Sequence, residues 1–182
     1  MKKVLLHICC GVCALYCFER LRKDGFSVEG FFFNPNIHPY FEYLKRRRAA
    51  EIAAENSGIL MQEGNYRIFD WFKIHKPYHE DVEGGLRCES CYRMRLEKTM
   101  ALCCDKNYDY FTTTLTISPH KKSSVVFKVG SDIGKDKFLA IDFKKKDGFK
   151  RTIGQAKKLG IYRQGYCGCV YSKNEREIPL IQ

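Results

Sequence analysis

A chain of 182 residues is long enough for one buried core and short for two, and its 45% hydrophobic and 14% aromatic content argues against disorder. No stretch has the uninterrupted apolar length of a membrane span, so no membrane partner is expected. The formal net charge of +11, from 32 basic and 21 acidic residues, favours a polyanionic partner, nucleic acid first, over the plainer alternative of a solvated charged face.

The chain opens with Met1-Lys2-Lys3 and a largely apolar run to Phe18 that mimics a secretory signal. His7, four cysteines and the polar stretch ERLRKDG directly behind it fit a buried strand running into a helix better. Val4 to Ile8 are predicted as that strand and Ala14 to Lys23 as the helix, closed by Gly25. Ser27 to Phe33 read as a second strand, Asn34 to Pro39 as a loop, and Tyr40 to Asn56 as a helix ended by Gly58.

A short strand near Ile59 to Gln62 and an aromatic stretch from Tyr66 to Tyr78 lead to the Gly84-Gly85 turn. Tyr92 to Cys104 read as a helix, and Tyr110 to Ile117 as the clearest strand, stopped by Ser118-Pro119. A helical pattern runs from His120 to about Gly130, and Phe138 to Phe143 are predicted as a further short strand. This alternation predicts one α/β domain over 1–182, with a mainly parallel sheet, helices on both faces, and sites outside the carboxyl ends of the strands.

Ten cysteines in a secreted chain would mean a disulfide framework, but the long helical patterns favour metal or redox chemistry in a reducing cytoplasm. Seven of them fall in three clusters: Cys9, Cys10 and Cys13 in HICCGVC, Cys88 and Cys91 in RCESC, and Cys167 and Cys169 in YCGC. Cys17, Cys103 and Cys104 lie outside and are expected to pack as small apolar residues. Adjacent Cys9 and Cys10 diverge on a regular strand and share a centre only where the backbone turns, which Gly11 permits. Together with the Cys88/Cys91 pair they make four thiolates, enough for tetrahedral zinc or a [4Fe–4S] cluster, with Cys13 in reserve. A disulfide across Gly168 would close a small strained ring, so Cys167 and Cys169 read as an electron-transfer dithiol or as a further ligand pair.

His7, inside the first strand, is expected as a hydrogen-bonded core residue, and no histidine is assigned to metal. The basic runs of the last third, Lys144, Lys145, Lys146, Lys150, Arg151 and Arg163, are candidate phosphate contacts. Phe143, Phe149, Tyr162 and Tyr166 are placed to stack an unpaired base or to fill the core.

The segments HICCGVC, LRCESCYRMRLEKT, FTTTLTISPHKK and DFKKKDGFKRTIGQAKKLGIYRQGYCGCVYS, spread over nearly the whole length, resemble the QueH-type epoxyqueuosine reductases. The resemblance implies a nucleotide-hydrolase-like fold related to PP-loop tRNA-modifying proteins. It implies a cobalamin-independent iron–sulfur enzyme that removes the epoxide oxygen of epoxyqueuosine at the tRNA wobble position. Carried onto this chain, it makes Cys9, Cys10, Cys88 and Cys91 the [4Fe–4S] ligands and Cys167 with Cys169 the redox-active pair. It leaves room for an additional iron, and a low-potential ferredoxin or flavodoxin is the expected donor. Many relatives place a proline before the third cysteine of the first motif, where this chain has Val12. A PP-loop tRNA sulfurtransferase is the alternative enzyme, but CCGVC lacks the SGGxDS-type pyrophosphate loop. A zinc-stabilised RNA-binding module is the non-catalytic alternative.

Overall fold

Val4, Leu5, Leu6 and His7 are all buried, the pattern of a strand covered on both faces, and in the computed structural model they belong to the central strand β1 (Lys3–His7). The structure describes residues 1–177, so the last five residues of the expected unit lie outside it. The other strands are β2 (Ser27–Phe32), β3 (Met61–Glu63) and β4 (Tyr110–Thr113). All pairings are parallel, in the order β3-β2-β1-β4, with Leu5 opposite both Glu29 and Phe111.

Side chains alternate across β1, so each face packs its own helices. Val4, Leu6 and Ile8 share a core with α1 (Gly11–Lys23), α2 (Tyr40–Ser57) and α6 (Gly148–Lys158). Leu5 joins Phe31, Phe111 and the inner faces of α4 (Leu86–Asp105) and α5 (Ser123–Gly134) on the other side. Two shorter helices, α3 (Ile68–His75) and α7 (Val170–Glu177), complete the described chain. No helix among the described residues is long and apolar enough to cross a membrane.

Several boundaries differ from expectation. The long strand over Tyr110 to Ile117 breaks after Thr113 into a 3-10 turn, Thr114–Ile117, because the Thr113 hydroxyl accepts the Leu115 amide at 3.2 Å and competes with the ladder. Phe138 to Phe143 form no strand; Phe138 makes one bridge to Phe111, and the hydroxyls of Thr112 and Thr116 then bind the carbonyls of Leu139 and Ile141, each at 2.8 Å. α5 begins at Ser123, not His120, since Lys121 and His120 are held in a turn by Ser118. α1 starts three residues earlier than Ala14, and α4 six earlier than Tyr92. Cys13, Cys88 and Cys91 are therefore helical. The aromatic stretch yields α3, and α6 and α7 were not foreseen. Cys17 and Cys103 are packed in the core as expected, while Cys104 is exposed on the outer face of α4.

Gly11 sets the distance between α1 and α2. A Cβ there would collide with the carbonyl of Ala49, so only glycine lets α1 begin against the α2 backbone immediately after Cys10. Gly11→Ala is expected to destabilise the fold by about 1–3 kcal/mol through overpacking. A lower urea midpoint at unchanged slope is the expected measurement; an unchanged midpoint would mean that α2 yields without cost.

Candidate metal and substrate site

The strand order reverses between β1 and β4, and the crevice outside their carboxyl ends is where open parallel sheets hold ligands. Cys9 leaves β1 at this point and Thr114 leaves β4 beside it. The Cys9 amide donates to the Thr114 hydroxyl at 3.0 Å, and that hydroxyl donates to Cys9 Sγ at 3.1 Å. Cys10, extended at φ −168°, precedes the first turn of α1, which carries Cys13. The sulfurs of Cys9, Cys10 and Cys13 lie within 4.8 Å of one another. Hydrogen bonds from Cys10 and Cys13 hold the Cys9 thiol well below its usual range. For Cys10, the bond from Cys13 is outweighed by its bond to Cys9 and by burial, which push it up to about 12.

Cys88 and Cys91 stand one turn apart near the start of α4. Cys88 Sγ accepts the Gly84 amide at 3.2 Å, and Cys91 Sγ accepts the Trp71 indole N–H at 3.5 Å. Burial raises both, Cys88 to about 12. Among the described residues, the only compact group with metal-ligand spacing is Cys9, Cys10 and Cys13, so Cys13 joins the first pair while Cys88 and Cys91 stand apart from that trio. Cys88 packs nonetheless in the apolar cluster that Cys9 borders, and Cys91 packs with Cys169 and Trp71.

The Cys167-Gly168-Cys169 segment is anchored by α2 and the loop before it. Arg46, 1% exposed, donates to the Cys167 carbonyl at 2.7 Å and the Tyr166 carbonyl at 3.2 Å, and pairs with buried Glu42 at 2.7 Å. The His38 amide binds the Gly168 carbonyl at 2.8 Å, and His38 Nδ1 accepts the Val170 amide at 3.3 Å. Gly168 has φ +150° and a Cβ there would lie 3.0 Å from Asn36 Nδ2, so glycine serves both conformation and space.

These elements enclose a cavity of about 330 Å³ lined by Cys9, Cys13, Cys167, Arg95, Lys121 and Tyr166 among others, within the usual size range of small-molecule sites. Two cations face the sulfurs. Burial opposes the charge on Arg95 and on Lys121, but the thiols of Cys9 and Cys167 act on both, and the net shift of each is upward. Both stay charged.

Arg46, His38 and Trp71 lie outside the cysteine motifs, and Arg95 and Thr114, although inside LRCESCYRMRLEKT and FTTTLTISPHKK, have no spacing that gives them a role; only folding brings the five to the cysteines. His7 is a core residue as expected, bonded to Thr113 Oγ1 at 2.9 Å and the Phe33 carbonyl at 3.2 Å, and burial lowers it to about 3. The basic candidates divide. The ammonium of Lys144 binds Thr116 O at 2.8 Å, Lys121 O at 3.2 Å and Ser123 Oγ, and Arg151 pairs with Glu19, whereas Lys145, Lys146, Lys150 and Arg163 are solvent-facing. Phe143 is wholly buried, Phe149 and Tyr166 line the cavity, and exposed Tyr162 flanks Lys45, whose Nζ lies 5.6 Å from its ring and 5.5 Å from that of Phe41.

A parallel α/β sheet whose switch point carries cysteine thiols defines an α/β fold with sulfur at its ligand crevice. The fold matches that of the U34-tRNA thiolase NcsA from Methanococcus maripaludis with its [4Fe-4S] cluster, at a TM-score of 0.54 and 13% identity over 94% of this chain and 61% of that one. The family model for epoxyqueuosine reductase QueH matches residues 4–175. Proteins of that name from Dehalococcoides mccartyi and Thermotoga maritima are 38% and 36% identical, covering 96% and 97% of this chain and 94% and 93% of theirs. One from Streptococcus pyogenes serotype M1 is 36% identical over 98% of this chain and 73% of its own length. The chain belongs to the epoxyqueuosine reductase QueH family.

Burial lowers His38 to about 4, so between pH 6.5 and 4 the unfolded chain binds a proton that the folded one refuses. The stability this provides is fully present above pH 6.5 and lost as pH falls toward 4, by up to about 3 kcal/mol. Chemical denaturation across that range should show a shallower loss for His38→Gln than for the wild type; parallel curves would reject the assignment.

Proposed function

We propose that this chain reduces epoxyqueuosine in tRNA to queuosine with an iron–sulfur cluster held by its cysteines, and that it works in the cytoplasm. The observation that carries the reading is the thiol trio at the β1/β4 switch point in a chain of this family. The donor set suits the group: several sulfurs at one crevice, one favoured as thiolate, amide and indole N–H groups aimed at the others, and two cations, buried Arg95 and part-buried Lys121, offsetting their charge. Cys9 and Cys10 with Cys88 and Cys91 are the proposed ligands, Cys13 standing by the first pair. When bound, such a cluster supplies single electrons at low potential, and an open iron, or an additional one, would supply a Lewis acid.

The chain's own residues account for the rest. Removing the epoxide oxygen as water and leaving an alkene consumes two electrons and two protons. Oxidation of the Cys167/Cys169 dithiol to a disulfide releases two of each, and a low-potential donor of the ferredoxin or flavodoxin class would restore it. Lys121 holds a positive charge beside the reacting region, where it would stabilise a developing alkoxide, and Lys144 fixes the loop that carries it. Lys145, Lys146, Lys150 and Arg163 are the proposed phosphate contacts, with exposed Tyr162, next to Arg163 in the chain, as a stacking surface for an unpaired base.

Purified without oxygen, the protein should contain iron and acid-labile sulfide in cluster proportion and convert epoxyqueuosine in tRNA; stoichiometric zinc without sulfide, persisting after reconstitution, would instead support a structural-metal RNA-binding module. Ser in place of Cys9, Cys10, Cys88 or Cys91 should deplete iron and sulfide, and Cys13→Ser should retain them; the reverse result for Cys13 and Cys88 would move the ligand set to the trio. Cys169→Ser should abolish turnover at unchanged iron content, and unchanged turnover would eliminate the dithiol role. Lys121→Met should lower kcat by about a hundredfold or more, the scale of one lost electrostatic donor, with iron unchanged. Exchanging Lys145 and Lys146 for Gln should reduce the salt slope of tRNA binding by about one for each lost contact.

A further inference from the structure

Three side chains of the cavity wall each hold one buried polar atom with no hydrogen-bond partner among the described residues: Asn36 Oδ1, Arg95 Nη2 and Gln164 Oε1. A buried polar group without a partner is costly, and native proteins keep few of them unless a ligand, an ion or water meets the group; these three differ from the others among the described residues in facing one cavity. The remaining atoms of two of these side chains are tied down. Arg95 donates from Nε to the Cys91 carbonyl at 3.1 Å and from Nη1 toward Asn34 Oδ1 at 3.5 Å, which leaves Nη2 as its free edge. Gln164 donates from Nε2 to Cys10 Sγ at 3.1 Å, which leaves Oε1 free. Asn36 is 3% exposed, and its Nδ2 is the atom closest to the face of Gly168. The set is therefore two neutral acceptors and one cationic donor around a cavity shared with Cys9, Cys13 and Cys167.

We propose that Asn36, Arg95 and Gln164 form the recognition cradle for the epoxide-bearing part of the modified nucleoside. Arg95 Nη2 donates to the epoxide oxygen, and Asn36 Oδ1 and Gln164 Oε1 accept from hydroxyl or N–H groups elsewhere on the same substituent. This rests on the reductase reading and adds to it the residues that choose the substrate. Arg95 transfers no proton, since a guanidinium does not titrate in this range; it orients the oxygen and offsets the charge that grows as the C–O bond breaks. A site built from such groups discriminates against a ligand lacking the matching donors, because its own polar atoms are then left buried and unpaired.

The test is equilibrium binding of three stem–loop RNAs to the anaerobic, iron-loaded protein without reductant: unmodified, carrying queuosine, and carrying epoxyqueuosine. The wild type should prefer both modified RNAs to the unmodified one, and the epoxide form most. Asn36→Leu, close in shape but apolar, should cut the preference for modified RNA about tenfold, the scale of one lost bond. Its affinity for unmodified RNA, its iron content and its melting temperature should not fall. Gln164→Met should act in the same direction, and Arg95→Lys should remove the margin of the epoxide form over the queuosine form. If Arg95→Lys fails to fold, the Asn36 and Gln164 variants decide. Full preference retained by the Asn36→Leu, Gln164→Met double variant would overturn the cradle alone, as when these atoms are met only by water. A wild type with no preference for either modified RNA would overturn the cradle and the reductase reading together.

Discussion

The parallel pairing of β1 with β4 is the constraint on which the site depends. His7 lies opposite Thr113 in that register, so the two strands leave the sheet side by side, and Cys9, two residues past His7, meets Thr114, one residue past Thr113. A shift of one residue would turn the β1 side chains to the other face of the sheet and separate the two cores they organise. It would also carry Cys9 away from the hydroxyl that binds both its amide and its sulfur. Sheet register and thiol placement are in this sense one quantity.

A second dependence runs through charge. Arg46 and Glu42 are both buried, and burying an ion pair is favourable only where further hydrogen bonds satisfy the charges. Here they do: the guanidinium also holds two carbonyls of the segment before Gly168, and Glu42 also accepts the Tyr162 hydroxyl at 2.8 Å. Removing one member of such a pair commonly costs about 3–5 kcal/mol, because the other is left charged and dry. The same logic fits buried Arg95, and in lesser degree part-buried Lys121, whose desolvation becomes tolerable next to sulfur that can carry negative charge.

Much of this was legible in the residues. The β-α-β-α opening follows from the Val4 to Ile8 run and the helical spacing after it, and the first cysteine cluster, which follows that run in the sequence, lies at the switch point of the sheet. What escaped is non-local or set by competing local bonds. The threonine run after Tyr110 has high strand propensity, yet the Thr113 hydroxyl captures the next turn and stops the ladder, a competition that propensity does not register. Charge runs were read as surface, but Lys144 reaches inward to three acceptors contributed by residues more than twenty positions away. Cys13 stands in reserve in the sequence because two cysteine pairs already make four thiolates; the helix start at Gly11, allowed by the missing Cβ against Ala49, places it in the first turn of α1 with its sulfur beside those of Cys9 and Cys10.

The segment around Gly168 is fastened almost entirely through its main chain: the carbonyls of Tyr166, Cys167 and Gly168 and the amide of Val170 take the bonds from Arg46 and His38. These bonds use neither sulfur, so the course of the loop is set by its backbone, while the buried Cys169 sulfur adds a separate local tie by accepting the Ser172 amide at 3.4 Å and packing against Trp71 and Cys91.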